Sequence, residues 1–159
     1  MSRMTDDVAP MRLAIEASRA ALDAGDRPYG AVLVSPRGEV LHVARNTQVS
    51  SGDCTAHAEM VLMRQASARL GPGAMSGATV YASGEPCAMC SGALFWSGVR
   101  RVVFGASSDV MARLLGGDLL PLRCAQVFAG ASRPVDVDGP VLAEEAAAVL
   151  RDAAAREAS

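Results

Sequence analysis

The stretch Ala78-Thr79-Val80-Tyr81-Ala82, continued by Ser83-Gly84-Glu85-Pro86-Cys87-Ala88-Met89-Cys90, decides the fold together with Val99-Arg100-Arg101-Val102-Val103-Phe104. Ala78 to Ala82 reads as a strand, Cys87 to Ser97 as an apolar helix stopped by Gly98, and Val99 to Phe104 as a second strand. Strand, helix and strand within so few residues imply parallel neighbours joined by a right-handed crossover.

Upstream, Ala56 to Leu70 reads as a helix that ends at Gly71-Pro72-Gly73, where neither Gly nor Pro favours continuation. Ala31 to Val34 and Val40 to Ala44 are short β-prone runs joined by Ser35-Pro36-Arg37-Gly38-Glu39, a hairpin signal. From Val8 to Ala24 the residues Met11, Ala14, Ile15, Ala21 and Leu22 recur at helical spacing, opposite Arg12, Glu16, Arg19 and Asp23. Downstream come a short helix near Asp109 to Leu115, a loop at Gly116-Gly117-Asp118, a weak strand around Gln126 to Phe128, and a final helix from Leu142 to Arg156. These elements make an α/β fold, a small mixed sheet covered by helices on both faces.

With 159 residues, half of them hydrophobic, the chain is expected to form one domain over 1–159. All 15 basic residues are Arg and the formal net charge is −2, so the overall basic excess that steers proteins to polyanions is missing. No apolar run approaches the ~20 residues that span a bilayer, and Met1 to Asp7 carries no signal-peptide core. The expectation is a soluble, cytoplasmic protein without membrane partners. The four Cys are too few and too unevenly placed for a disulfide framework, and Cys87-Ala88-Met89-Cys90 suggests metal or redox chemistry.

The chemistry concentrates in His57-Ala58-Glu59 and Pro86-Cys87-Ala88-Met89-Cys90, each at a helix start. Cys87 and Cys90 share the first turn of a helix, whose N–H groups and dipole favour thiolates. A crossover that brings both helix tips to one sheet edge sets the His57 imidazole beside the two sulfurs. Three ligands leave one position of a tetrahedral zinc for water, which the metal makes nucleophilic near pH 7. Glu59 converges with His57 only because the site lies off the helix end; it is read as the proton shuttle rather than a ligand. A second reading uses Cys54 of Cys54-Thr55-Ala56-His57 as a fourth ligand, which would close a structural zinc site without catalysis.

H-x-E with P-C-x-x-C is the signature of zinc deaminases, and most of the chain resembles the cytidine deaminase superfamily, in its branch of guanine deaminases and tRNA adenosine deaminases. The resemblance runs through Arg27-Pro28-Tyr29-Gly30-Ala31-Val32, Asn46, Thr55-Ala56-His57-Ala58-Glu59, Glu85-Pro86-Cys87-Ala88-Met89-Cys90-Ser91-Gly92-Ala93 and Val99 to Ala106. It implies a three-layer α/β/α sandwich on a central mixed five-stranded sheet, one Zn2+ per subunit held by His57, Cys87 and Cys90, and a homodimer. It also implies hydrolytic loss of an exocyclic amine as ammonia, with Glu59 shuttling protons, Asn46 holding the base and Ala56 offering backbone contacts. Tyr29 stands where Phe is usual and adds a hydroxyl near the pocket; Cys54 stands where relatives often have Pro.

For the substrate, Phe95-Trp96 looks like the aromatic pair of free-guanine deaminases, with Trp96 stacking on a flat ring or simply packing. Gly116-Gly117-Asp118 resembles their acidic loop, with Asp118 accepting hydrogen bonds from the base or merely forming a turn. Glu144 and Glu145 open the last helix as dipole-compensating charges, and substrate contact is their alternative role. His42 and Asp109 are read as structural. Net acidity and the absence of Lys count against nucleic acid as partner. A free amino-substituted base is preferred, guanine-like first, then cytosine, isocytosine or triazine rings; the alternative that the resemblance implies is a tRNA adenosine deaminase forming inosine at the anticodon.

Overall fold

The computed structural model describes residues 3–158; residues 1, 2 and 159, which the single-domain expectation includes, lie outside the described residues. In chain order the elements are α1 (Arg3–Asp23), β1 (Gly30–Val34), β2 (Val40–Arg45), α2 (Gln48–Ser51), α3 (Ala58–Leu70), β3 (Thr79–Gly84), α4 (Ala88–Ser97), β4 (Arg101–Ala106), α5 (Ser108–Leu115), α6 (Cys124–Phe128), β5 (Asp136–Asp138) and α7 (Ala143–Glu157). The five strands form one mixed sheet in the order β2-β1-β3-β4-β5. β1 runs antiparallel to β2 and β3, while β3, β4 and β5 are parallel, as the strand-helix-strand reading requires.

Side-chain alternation along the strands divides the interior into two layers. Leu33, Val80 and Val102 pack with Leu62 of α3, Leu94 of α4 and Phe128 of α6. Val32, Tyr81 and Val103 point the other way, onto Met11, Ala14 and Ile15 of α1 and Val149 and Leu150 of α7. The result is a three-layer α/β/α sandwich. α1 lies so close to β1 that a Cβ on Gly30 would run into the Ala14 carbonyl and, at 2.6 Å, the Ala17 methyl.

The structure differs from the sequence reading at three places. Gln126 to Phe128 is not a strand but part of helix α6, started by a reciprocal cap in which the Arg123 N–H donates to Gln126 Oε1 at 2.7 Å. The fifth strand is instead Asp136–Asp138, too short to display an alternation of its own. The one-turn helix α2 was also not anticipated. No described helix is long and apolar enough to cross a membrane.

At the sheet end where β4 begins, Arg101 donates through Nη1 and Nη2 to Asp7 at 2.7 and 2.9 Å and through Nε to Asp138 at 2.7 Å. The Tyr81 hydroxyl donates to the same Asp7 carboxylate at 2.7 Å. This clamp joins α1, β3, β4 and β5. At the opposite end β3 finishes at Gly84, and the chain turns through Glu85-Pro86-Cys87 into α4. Glu85 steadies that turn: its N–H donates to Ala106 O at 2.8 Å, and its Oε1 accepts from Ser108 N at 2.8 Å where α5 begins.

Candidate metal centre and active site

His57 and Cys87 occupy equivalent positions, each the extended residue before a helix: φ −63°, ψ 154° before α3 and φ −70°, ψ 175° before α4. Neither side chain caps its own helix; they meet each other instead. His57 Nδ1 lies 3.6 Å from Cys87 Sγ and 3.5 Å from Cys90 Sγ, and all three donor atoms fall within 4.8 Å of one another. A tetrahedral zinc with bonds of about 2.3 Å to sulfur and 2.05 Å to nitrogen needs an N···S separation of about 3.6 Å. The residues therefore fit zinc in both donor type and spacing. Cys54 is exposed and stands outside this cluster, so the closed four-ligand arrangement is not formed among the described residues.

The electrostatics suit a cation. The Cys87 thiol is pulled down to about 4 by a hydrogen bond from Cys90, with further help from His57 and the Cys90 backbone N–H, against the cost of burial. Cys90 is pushed up because it donates that bond and is buried. His57 is raised, chiefly by its bond to Cys87. A metal is held by two thiolates and a neutral imidazole nitrogen, so binding a dication here releases protons.

Glu59 sits in the first turn of α3 and is only 6% exposed. Burial pushes its carboxyl up to about 7, helped by the Cys87 charge, in the metal-free chain; a dication on the three ligands acts in the opposite sense. His57, Glu59 and Cys87 line a cavity of about 330 Å³. Its remaining wall includes Arg27, Tyr29, Gln48, Glu85, Met111 and Leu115 of α5, and Asp118. Burial drives the Tyr29 phenol up to about 12, which keeps it a neutral hydroxyl. Gly84 forms part of the floor, where a Cβ would lie 2.6 Å from Met111 Sδ and 2.9 Å from Tyr29 Cε1.

Of the residues singled out in the sequence, the structure brings His57, Glu59, Cys87, Tyr29 and Asp118 to the cavity, with Cys90 behind the first three. Asn46 is 1% exposed and faces Gln48 rather than the cavity. Ala56 is buried, its N–H bonded to Asp53 O and its carbonyl to Thr47 N. Trp96 is not a pocket residue: it is 84% exposed and meets Phe95 edge to face, with Arg133 over the Phe95 ring. Trp96 follows the buried Leu94 by about 200° of helical turn, which points it outward. Glu144 and Glu145 also lie away from the cavity, ion-paired with Arg151 at 3.1 Å and Arg12 at 3.2 Å. Sequence reasoning missed Gln48 and Glu85 as cavity residues; Glu85 had a signal, since it precedes Pro86 at a strand end, and Gln48 had none.

Residues 4–106 match the cytidine and deoxycytidylate deaminase zinc-binding region. A probable cytosine deaminase of Schizosaccharomyces pombe is 39% identical over 147 residues, which cover 88% of this chain and 87% of the relative. A tRNA-specific adenosine deaminase of Bacillus subtilis is 43% identical over 103 residues, 65% of this chain and 63% of the relative. The solved guanine deaminase of Nitrosomonas europaea superposes with a TM-score of 0.79 at 28% identity, covering 92% of this chain and 84% of that one.

Proposed function

Because the chain belongs to the cytidine and deoxycytidylate deaminase zinc-binding family, and is thus a zinc-dependent hydrolase of C–N bonds, we propose that its substrate is a free amino-substituted nucleobase. A guanine-like ring is preferred, with cytosine, isocytosine and triazine rings as further candidates, and the products are the oxo base and ammonia. The observation that carries this reading is the cavity itself. At about 330 Å³ it lies at the small end of ligand pockets. Its wall bears the carboxylates of Glu59, Glu85 and Asp118 against the single guanidinium of Arg27. Such a lining accepts hydrogen bonds from amino and ring N–H groups and repels a phosphate backbone.

His57 Nδ1 and the Cys87 and Cys90 sulfurs hold the zinc, which when bound supplies the Lewis acidity that makes water a nucleophile near neutral pH. Glu59 takes one proton from the attacking water and passes it to the ring nitrogen, then takes the second from the hydroxyl added to the ring carbon and delivers it to the departing amine, so that aminated base and water become oxo base and ammonia. What supports this role is that Glu59 lines the cavity beside His57 and Cys87. Asp118 and the Tyr29 hydroxyl orient the ring from the far wall. α5, anchored by Glu85, closes the side with Met111 and Leu115 and limits water.

The test is ammonia release by the zinc-loaded protein from a panel of free bases, their nucleosides and a tRNA anticodon stem-loop, with Glu59→Gln as control. Turnover of at least one free base is expected, with kcat falling about 10²- to 10⁴-fold in Glu59→Gln at unchanged zinc content. Reaction of the stem-loop alone would instead assign the tRNA adenosine activity of the Bacillus subtilis relative.

A further inference from the structure

We infer that the Tyr29 hydroxyl determines specificity by donating a hydrogen bond to an acceptor on the substrate ring, either an exocyclic oxygen or a ring nitrogen other than the one Glu59 protonates. The inference rests on the free-base reading above and adds to it the feature, besides the amine, by which the ring is chosen.

Tyr29 carries a fixed ring and an unpartnered oxygen. Its backbone is held on both sides, the N–H donating to Arg27 O at 2.8 Å and the carbonyl accepting from Asn46 N at 3.0 Å. The side chain packs against the buried residues of both interior layers. One edge of the ring lies over Gly84 of β3, where an added Cβ would stand 2.9 Å from Cε1 and 3.0 Å from Cδ1. A tyrosine has only two side-chain torsions, so packing of this kind sets the place of the oxygen before any ligand arrives.

A phenol in the interior ordinarily finds a partner. The chain's other tyrosine does: Tyr81 donates to Asp7 at 2.7 Å. The Tyr29 hydroxyl has no hydrogen-bond partner among the described residues. Yet no side-chain oxygen sealed from solvent lacks one among those residues. The Tyr29 oxygen is therefore open to solvent, on a residue that lines the cavity beside His57 and Glu59. Burial keeps the phenol protonated across the working pH range, so it meets a ligand as an O–H donor. The ionised carboxylates of Glu85 and Asp118 on the same wall only accept, and serve the N–H groups of a ring. A base that offers both N–H groups and an acceptor is complementary to this wall.

Tyr29→Phe removes the oxygen and leaves the ring against Gly84, so zinc content and Tm should not change. The experiment compares kcat/KM of the zinc-loaded wild type and variant on the free base that is turned over and on analogues that each lack one acceptor. For guanine these are 2-aminopurine and 7-deazaguanine; for cytosine, 4-aminopyrimidine. An analogue that is bound but not turned over is scored by its inhibition constant. Tyr29→Phe should lower kcat/KM about tenfold on the parent base. On the analogue that lacks the acceptor in question the loss should be under twofold, because the partner of the hydroxyl is already gone. A purely structural Tyr29, or one that accepts from an amine, would lower the whole set alike.

A loss under twofold on the parent base, or an equal loss across the set, overturns this inference and leaves the free-base reading standing. Absence of turnover on every free base overturns both.

Discussion

Replacing Arg101 by Met tests whether the clamp at the closed end of the sheet is a buried ion pair in energetic terms. The Arg101 side chain is 15% exposed and that of Asp7 is 4% exposed, so their two bonds of 2.7 and 2.9 Å are made nearly out of water. The third bond, to Asp138 at 2.7 Å, is different because that carboxylate is 42% exposed. An exposed pair contributes about 0–1 kcal/mol. Removing one partner of a buried pair costs about 3–5 kcal/mol, because the remaining charge stays desolvated. The Tyr81 hydroxyl still donates to Asp7, which places Arg101→Met near the lower end of that range, about 3 kcal/mol. For a chain of this size that is a fall in Tm of about 6–12 °C. Asp138→Asn should cost less than about 1 kcal/mol. The assay is urea unfolding followed by far-UV circular dichroism at fixed zinc and protein concentrations. Because the clamp lies at the other end of β3 from Gly84, zinc content should be unchanged. A cost below about 1 kcal/mol for Arg101→Met, or an equal cost for Asp138→Asn, would refute the reasoning.

Asp26 supplies a pH-dependent contribution to stability. Burial works to raise its carboxyl, but bonds from the Ser50 N–H and hydroxyl, both at 2.8 Å, outweigh it and hold the group below the ordinary value. A depressed folded pKa stabilises above the unfolded value of about 3.9 and is lost as pH falls through the folded one. The stability deficit of Asp26→Asn should therefore be constant between pH 7 and 5 and shrink below about pH 4 in urea titrations. Removing the metal with a chelator should expose the Cys87 thiolate: at pH 6, iodoacetamide followed by peptide mass mapping is expected to label Cys87 ahead of the exposed Cys54, and zinc to protect Cys87 but not Cys54. Equal labelling of the two would contradict the assigned thiolate. Gly84→Ala forces a methyl against Met111 and Tyr29 on the cavity floor; kcat/KM should fall at least tenfold while stability falls about 1–3 kcal/mol. Unaltered kinetics would remove Gly84 from the substrate-facing floor.

The metal-ligand cluster of His57, Cys87 and Cys90 was legible because its parts are local. Each half of it is a helix start after a strand or loop, and a residue placed immediately before a helix projects beyond the helix end whatever surrounds it. His57 and Cys87 are both such residues, so their convergence needed only the parallel crossover that Ala78 to Phe104 already implied. The strands β1, β3 and β4 were legible for the same reason: each is a short, nearly continuous apolar run, and it is buried on both faces between the two helical layers. Trp96 shows where local reading ends. Its identity suggested ring stacking, but its angle on α4 relative to Cys90 and Leu94 carries it to the outer surface. Glu144 and Glu145 likewise found partners 7 and 133 residues away that no motif announces.

The amino-acid order by itself determined the chemistry: an imidazole and two sulfurs with a carboxylate close by, on a helix-flanked mixed sheet. Those features depend on spacings of two or three residues and on backbone preferences that hold without tertiary contacts. Only the folded chain decided which polar groups share the cavity with them. Gln48 joins the cavity wall, and Glu85 fixes α5 against the metal-binding turn. A hydrogen bond between distant segments depends on where packing sets two backbones to within a fraction of an ångström, and that is a property of the whole interior rather than of any stretch of sequence.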